Sequence, residues 1–179
     1  MALQEAMVSS KSNEWVTPQF FFNELHKEFG FTLDPCSTHQ NAKCKKHYTL
    51  VENGLLQDWS KDVVFMNPPY GREIKAWIKK AHCESLNGAT VVCLIKSTTD
   101  TSYWHEYIMP YAAQIRFVRG RLKFGDSSTP APFPSAVIVF TRKYTLRPRF
   151  VPLLMTGGKE KNIEGFQGEK CIGYKTDIF

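Results

Sequence analysis

Apolar positions along this chain alternate between two spacings. Phe21, Phe22, Leu25 and Phe29 recur every three or four residues, the face of a helix. Thr17-Pro18 precedes them, so Thr17 is expected as N-cap and Pro18 as the first helical residue, with Gly30 ending the helix. Phe31-Thr32-Leu33 reads as a short strand stopping at Asp34-Pro35. Residues 36–46 are polar and basic and predict a loop or irregular helix. His47 to Val51 predicts a second strand and Leu55 to Trp59 a turn. Val63-Val64-Phe65-Met66 is continuously apolar, as in a strand covered on both faces. Ile74, Trp77, Ile78 and Ala81 mark a helix closed by Asn87-Gly88. Thr90 to Ile95 is another buried strand, and Tyr103, Trp104, Tyr107, Ile108 and Tyr111 form a further helical stripe. Ile115 to Phe124 is strand-like around Gly120, residues 125–134 hold three prolines and form a loop, and Ser135 to Phe140 is a last buried strand.

Buried strands alternating with helices imply an α/β sheet. The expected architecture is mostly parallel, ends in an antiparallel strand and carries helices on both faces. Residues 14–150 form the expected domain. Residues 1–13 read as a loose tail and residues 151–179, rich in Gly and Lys, as an irregular extension. With 42% hydrophobic and 22% charged residues, the composition of the 179-residue chain is that of a globular protein, which excludes collagen and extensive disorder. The net charge of +6 suits a polyanionic partner. No apolar run approaches the roughly 18 residues of a membrane span, and residues 1–12 contain no signal-peptide core. Five cysteines without a disulfide rhythm point to a reducing, cytoplasmic compartment. No obligatory protein partner is evident.

The chemistry concentrates at Asn67-Pro68-Pro69-Tyr70. A defined tetrapeptide arises by chance in roughly one chain per thousand or fewer at this length, and this one sits where a buried strand ends, the place where open α/β sheets build sites. Two prolines cannot continue a central strand. They fix a tight turn that aims the Asn67 side chain and the Pro68 carbonyl at one point. Those two oxygens can accept the two N–H bonds of an amine conjugated to a purine ring, whose delocalised lone pair makes it a poor nucleophile. Held this way, the nitrogen shifts towards a tetrahedral form with its lone pair aimed at an electrophile. Tyr70 offers an aromatic face for the base.

Asn67-Pro68-Pro69-Tyr70 resembles the catalytic motif of amino-methylating DNA methyltransferases. The ordered set Trp15-x-Thr17-Pro18, Leu33-Asp34-Pro35-Cys36, Asn41-Ala42-Lys43-Cys44, Asp58-Trp59, the N-P-P-Y turn, Trp77 and Gly120-Arg121-x-x-Phe124 is similar to the phage-type DNA N6-adenine methyltransferases (Dam-like), across about residues 13–142. The resemblance implies a Rossmann-like methyltransferase fold, S-adenosylmethionine as cofactor and adenine N6 in DNA as target, with the base flipped out of the duplex. It implies Asn67, Pro68, Pro69 and Tyr70 as catalytic residues. Trp15, Thr17, Pro18, Asp34, Cys36, Asp58, Trp59 and Asn67 are expected around the cofactor: Thr17 and Asp34 at its methionine end, Asp58-Trp59 at its adenine. Tyr70, Arg72, Arg121, Phe124, Phe133, Arg142 and Lys143 are expected on the nucleic-acid side, with Phe133 or Phe124 opposing Tyr70 across the base. The glycine-rich loop usual after the first strand is replaced by Ser37-Thr38-His39-Gln40-Asn41, and the ribose-binding carboxylate is undefined, Glu52 being a weak candidate. The N-P-P-Y motif alone also admits RNA or protein glutamine as substrate, and a non-catalytic DNA-binding protein on the same scaffold is the alternative from another class.

Three further features carry competing readings. Pro35-Cys36 is similar to the nucleophilic pair of cytosine-C5 methyltransferases, but attack by an amine needs no thiolate. Cys36, His39, Cys44 and His47 supply two thiols and two imidazoles, enough for zinc, yet at spacings that fit no common finger, and no metal is expected. Basic clusters at Lys43/Lys45/Lys46, Arg116/Arg119/Arg121/Lys123 and Arg142/Lys143/Arg147/Arg149 are phosphate contacts on a nucleic-acid enzyme and solvated charge otherwise.

Overall fold

A computed structural model describes residues 15–142 and 148–153; the expected tail 1–13, Lys143, Arg147 and residues 154–179 lie outside them. The elements run α1 (Gln19–Phe29), β1 (Leu33–Asp34), β2 (Lys46–His47), a 3-10 turn (Gly54–Leu56), β3 (Val63–Met66) and α2 (Ile74–Asn87). They continue with β4 (Thr90–Lys96), a π-helical turn (Trp104–Ile108) leading into α3 (Met109–Tyr111), β5 (Gln114–Val118), β6 (Ser135–Phe140) and β7 (Arg149–Leu153). One sheet contains all seven strands in the order β2-β1-β3-β4-β6-β5-β7. It is the expected mixed, mostly parallel sheet of a Rossmann-like methyltransferase. β6 alone runs antiparallel to its neighbours. It does not end the sheet, as the pattern predicted, but is inserted between β4 and β5.

The alternation of side chains along the strands builds two cores. Val91, Cys93 and Ile95 join Trp77, Ile78 and Ala81 of α2 and Trp104 and Ile108 of the π turn. Val92 and Leu94 face the other way, onto Phe21, Phe22 and Leu25 of α1. Helices therefore cover both faces, which is why the central strands read as unbroken apolar runs.

Several elements differ from their prediction. Pro18, with ψ of 136°, takes the N-cap position of α1, so helix begins one residue later than expected. Thr17 is then outside the helix, and its hydroxyl is engaged elsewhere. The second strand stops at His47: the Tyr48 N–H still donates to the Asp34 carbonyl, and residues 49–52 then form a turn held by Glu52. Leu50 and Val51, whose apolarity predicted strand, are 83% and 91% exposed. The strand after Gln114 stops at Val118, because Gly120 reverses the chain at φ 82° and Leu122 and Phe124 fold onto the α1 face. In the third helical stripe, the Met109 N–H reaches back five residues to the Trp104 carbonyl. Pro110 supplies no N–H to the ordinary ladder there. β7 was not anticipated, since Pro152 interrupts its short apolar run.

Candidate active site

β1, β3 and β4 run parallel and end at one edge of the sheet. A cavity of about 320 Å³ opens there, in the range of small-molecule sites. Trp15, Thr17, Asp34, Cys36, Ser37, Asn67, Pro68, Pro69 and Trp77 contribute to its wall, together with the 49–55 turn. Trp15–Thr17, Asp34–Cys36 and Asn67–Pro69 thus meet at the cavity, while Pro18 and Tyr70 are not on its wall.

Asn67 leaves β3 with its side chain clamped. Its Nδ2 donates to the Trp15 carbonyl at 2.5 Å and to the Thr17 hydroxyl at 2.9 Å. Both N–H groups are thereby used, and since a carbonyl can only accept, the amide orientation is fixed. Its Oδ1 is buried and has no hydrogen-bond partner among the described residues. A buried carbonyl oxygen left unpaired costs roughly 1–3 kcal/mol, and this one belongs to a residue on the cavity wall, where a donor has room to meet it.

Tyr70 is buried and its hydroxyl donates to the Leu94 carbonyl at 3.3 Å. Burial pushes its phenol well above the usual range. Phe133 meets it edge to face at 5.6 Å, and Trp15, Phe124 and Phe133 continue the aromatic cluster at 4.9 to 6.0 Å. The Lys96 ammonium lies 5.1 Å from the Tyr70 ring centre and 4.4 Å from that of Phe133. Phe133 therefore packs against Tyr70, while Phe124 packs against Phe133 and Trp15, and these rings meet edge to face or tilted, with no slot for a base between parallel rings.

Asp34 is buried. Its carboxylate accepts from the Lys43 N–H at 3.0 Å and the Cys36 N–H at 3.4 Å, stitching the 36–43 loop back onto β1. Burial still raises its pKa above the ordinary value, with those N–H groups opposing. The replacement for the glycine loop is a polar turn. Thr38 N–H donates to Asn41 Oδ1 at 2.7 Å, and Asn41 N–H to the Thr38 hydroxyl at 3.2 Å. Burial drives the Cys36 thiol well above its usual range, which keeps it protonated and unsuited to nucleophilic attack. Cys36 and Cys44 pack against opposite faces of the sheet, while His39 Nδ1 and His47 Nε2 contact each other at 2.9 Å. Among the described residues no three His, Cys, Asp or Glu side chains converge on a metal position.

Other expected residues lie off the cavity. Asp58 is exposed and caps the Ser60 N–H at 2.8 Å, its carboxyl lowered chiefly by that bond. Trp59 is fully buried. Its N–H groups go to Glu84 and the Gly54 carbonyl, and its ring stacks behind Trp77 at 6.2 Å. The Asp58-Trp59 pair therefore does not line the cavity, because the indole fills the core and turns the preceding carboxylate to solvent. Glu52 is tied to Thr49 and is also outside it. Arg116 is buried, forked onto Glu28 at 2.6 Å through each terminal nitrogen, and is not a phosphate contact. Arg121 donates to the Ala131 carbonyl at 3.3 Å, and Arg72 is exposed at the start of α2. Arg142 follows Phe140, which pairs with Val91 at the start of β4. It leaves the sheet at the end opposite Asn67, a consequence of β6 running antiparallel. Sequence reasoning missed Leu50, Asn53, Gly54, Leu55 and Glu73 on the cavity wall. The Asn53-Gly54 turn signal was the available clue.

The DNA N-6-adenine-methyltransferase (Dam) family model matches residues 4–160. The chain is 28% identical over 123 residues to the DNA N-6-adenine-methyltransferase of Haemophilus phage HP1 (strain HP1c1), covering 67% of this chain and 70% of that one. It is 40% identical over 65 residues to YfdM of Escherichia coli (strain K12), provisionally named a methyltransferase, covering 32% of this chain and 71% of that one.

Proposed function

Because the chain belongs to the DNA N-6-adenine-methyltransferase (Dam) family, we propose that it transfers a methyl group from S-adenosylmethionine to N6 of an adenine flipped out of DNA, at the Asn67–Tyr70 turn. The observation that carries this reading is the buried Oδ1 of Asn67, unpartnered among the described residues, whose Nδ2 is fully used. An amide fixed with its acceptor free suits a substrate amine.

The cavity residues fit the proposed cofactor. Besides Asn67 Oδ1, the Trp15 Nε1 atom is buried without a partner among the described residues, and Asp34 and Glu73 provide carboxylates on the wall. Glu73, exposed at the cavity rim, is the carboxylate we assign to the ribose hydroxyls in place of Glu52. S-adenosylmethionine, when bound, supplies an electrophilic methyl group on a sulfonium. Asn67 Oδ1 and the Pro68 carbonyl accept the two N6 hydrogens and turn the nitrogen lone pair towards that methyl. N6 would form the new N–C bond as the methyl–sulfur bond breaks, the electron pair staying on sulfur to leave S-adenosylhomocysteine, and the surplus proton on N6 would then pass to water, so no strong base is required. Flipping the base costs a few kcal/mol, and stacking on Tyr70 returns ~1–3 kcal/mol. Access for the base requires Phe133 and Lys96 to move off the Tyr70 ring.

Tritiated methyl incorporation into DNA, RNA and protein, measured side by side, tests the substrate. Label in DNA that releases N6-methyladenine on hydrolysis is the expected result, and label in RNA or protein alone overturns it. Asn67→Ala is expected to lower turnover about a hundredfold to a thousandfold while leaving S-adenosylhomocysteine affinity within several-fold. Turnover near wild type would remove Asn67 from the mechanism.

A further inference from the structure

The residues just before α1 carry two acceptors that hold Asn67 and a third that ties the same strap to a neighbouring loop. The Trp15 carbonyl and the Thr17 hydroxyl hold the two N–H groups of Asn67. Between them, the Val16 carbonyl accepts the Gly125 N–H at 2.7 Å, tying the same strap to the start of the 125–134 loop. Thr17 is buried, 3% exposed. The helix-cap role that its sequence position suggested is absent, since the hydroxyl caps no N–H of α1.

We propose that Thr17 is a positioning residue for Asn67: its hydroxyl oxygen, with the Trp15 carbonyl, holds the carboxamide in the one rotamer and flip state that presents Oδ1 to the substrate amine. This rests on the assignment of Asn67 as the amine acceptor. The physical case is one of complementarity. An amide has a donor end and an acceptor end of nearly equal size, and packing alone does not tell them apart. Two acceptors at the donor end do. If the amide turned over, Oδ1 would face two oxygens and lose both bonds. Thr17 thereby orients the acceptor before substrate arrives, and preorganisation of this kind is worth most in a desolvated site. The assignment differs from a contact of Thr17 with the cofactor, and the two roles separate experimentally.

Thr17→Val keeps the shape and removes the acceptor; Thr17→Ser keeps the acceptor and removes a methyl. Turnover, KM for DNA, affinity for S-adenosylhomocysteine by calorimetry and thermal midpoint are measured for both. For Thr17→Val, turnover is expected to fall about tenfold or more, as for small misplacements of reacting groups, with cofactor affinity within twofold. Thr17→Ser is expected to recover most of the rate. Cofactor affinity falling in step with turnover, unchanged turnover in Thr17→Val, or failure of Thr17→Ser at an unchanged thermal midpoint would each overturn the proposal. A readout independent of chemistry is exchange of the Asn67 side-chain amide protons by NMR, assigned by their disappearance in Asn67→Ala. They are expected to be protected in the wild type and to exchange faster in Thr17→Val. If they are protected but the wild type puts no methyl on adenine, the reading of function fails while the clamp stands. If they are unprotected, the clamp fails whatever the activity.

Discussion

Gly54 is the position where one methyl group does most damage to the cavity. A Cβ there would lie 2.0 Å from the Pro35 carbonyl oxygen, a backbone atom that cannot swing away. Gly54→Ala must therefore push the 49–55 turn off the end of β1, and both segments line the cavity. Overpacking of this kind costs typically 1–3 kcal/mol, and a displaced wall is expected to lower S-adenosylhomocysteine affinity at least about tenfold, equivalent to ~1.4 kcal/mol. Asp58→Ala is the contrasting case. Its carboxylate bonds Ser60 and lies outside the cavity. Calorimetry is expected to show less than about a twofold change for Asp58→Ala, well below the roughly ten- to a hundredfold that loss of a charged hydrogen bond to the ligand gives.

At the scale of elements, α1 is joined to β5 by more than its apolar face. Glu28, in the last turn of α1, receives both terminal nitrogens of Arg116, whose guanidinium also lies 5.1 Å over Phe29. The Arg116 hydrogen bonds hold the Glu28 carboxyl below its ordinary value of 4.5, with burial opposing. A lowered carboxylate pKa gives stability that is present above the unfolded value and is lost as pH falls through the folded one. Acid titration of the thermal midpoint is therefore expected to show a fall below about pH 4.5 that Glu28→Gln flattens. Glu28→Ala leaves a buried cation without its carboxylate, still bonded to the neutral Gln114 amide. Breaking a fully buried pair costs ~3–5 kcal/mol, and the half-exposed carboxylate reduces that to about 1–2 kcal/mol, readable in urea melts. No change in stability would mean that Arg116 finds water instead.

Strand direction decides which basic residues share the end of the molecule that carries Asn67. β3, β4 and β5 all finish at that end, so Lys96 and the Arg119, Arg121 and Lys123 that follow β5 lie on the site side. β6 runs back, and β7 starts beside Gln114, which places Arg142 and Arg149 at the opposite end. Five residues of strand, about 17 Å at 3.4 Å each, separate the two. Neutralising Arg119, Arg121 and Lys123 together is expected to flatten the dependence of log DNA affinity on log salt by ~0.9 for each phosphate they pair with. Neutralising Arg142 and Arg149 is expected to leave that slope unchanged. Both variants should keep cofactor affinity, and the reverse pattern of slopes would place the DNA on the far end.

Local pattern by itself determined most of the frame. The apolar runs Val63–Met66, Thr90–Ile95 and Ser135–Phe140 are strands because nothing but a doubly covered sheet buries them, and Gly30 and Asn87-Gly88 end helices through their own backbone freedom. The N-P-P-Y turn was legible for the same reason: its prolines constrain the chain wherever it is placed. What depended on distant neighbours was not legible. Thr17 looked like a cap, yet its hydroxyl meets a residue fifty positions away. Asp58 looked like a ligand contact until the burial of Trp59 turned it outward. Arg116 looked like surface charge until β5 was set against α1. Leu50 and Val51 looked like strand because exposure is not written in residue type. Hydrophobic period and backbone stereochemistry act within a few residues, so sequence states them. The partner of a polar side chain is chosen by how the strands order and direct themselves, and only the assembled sheet decides that.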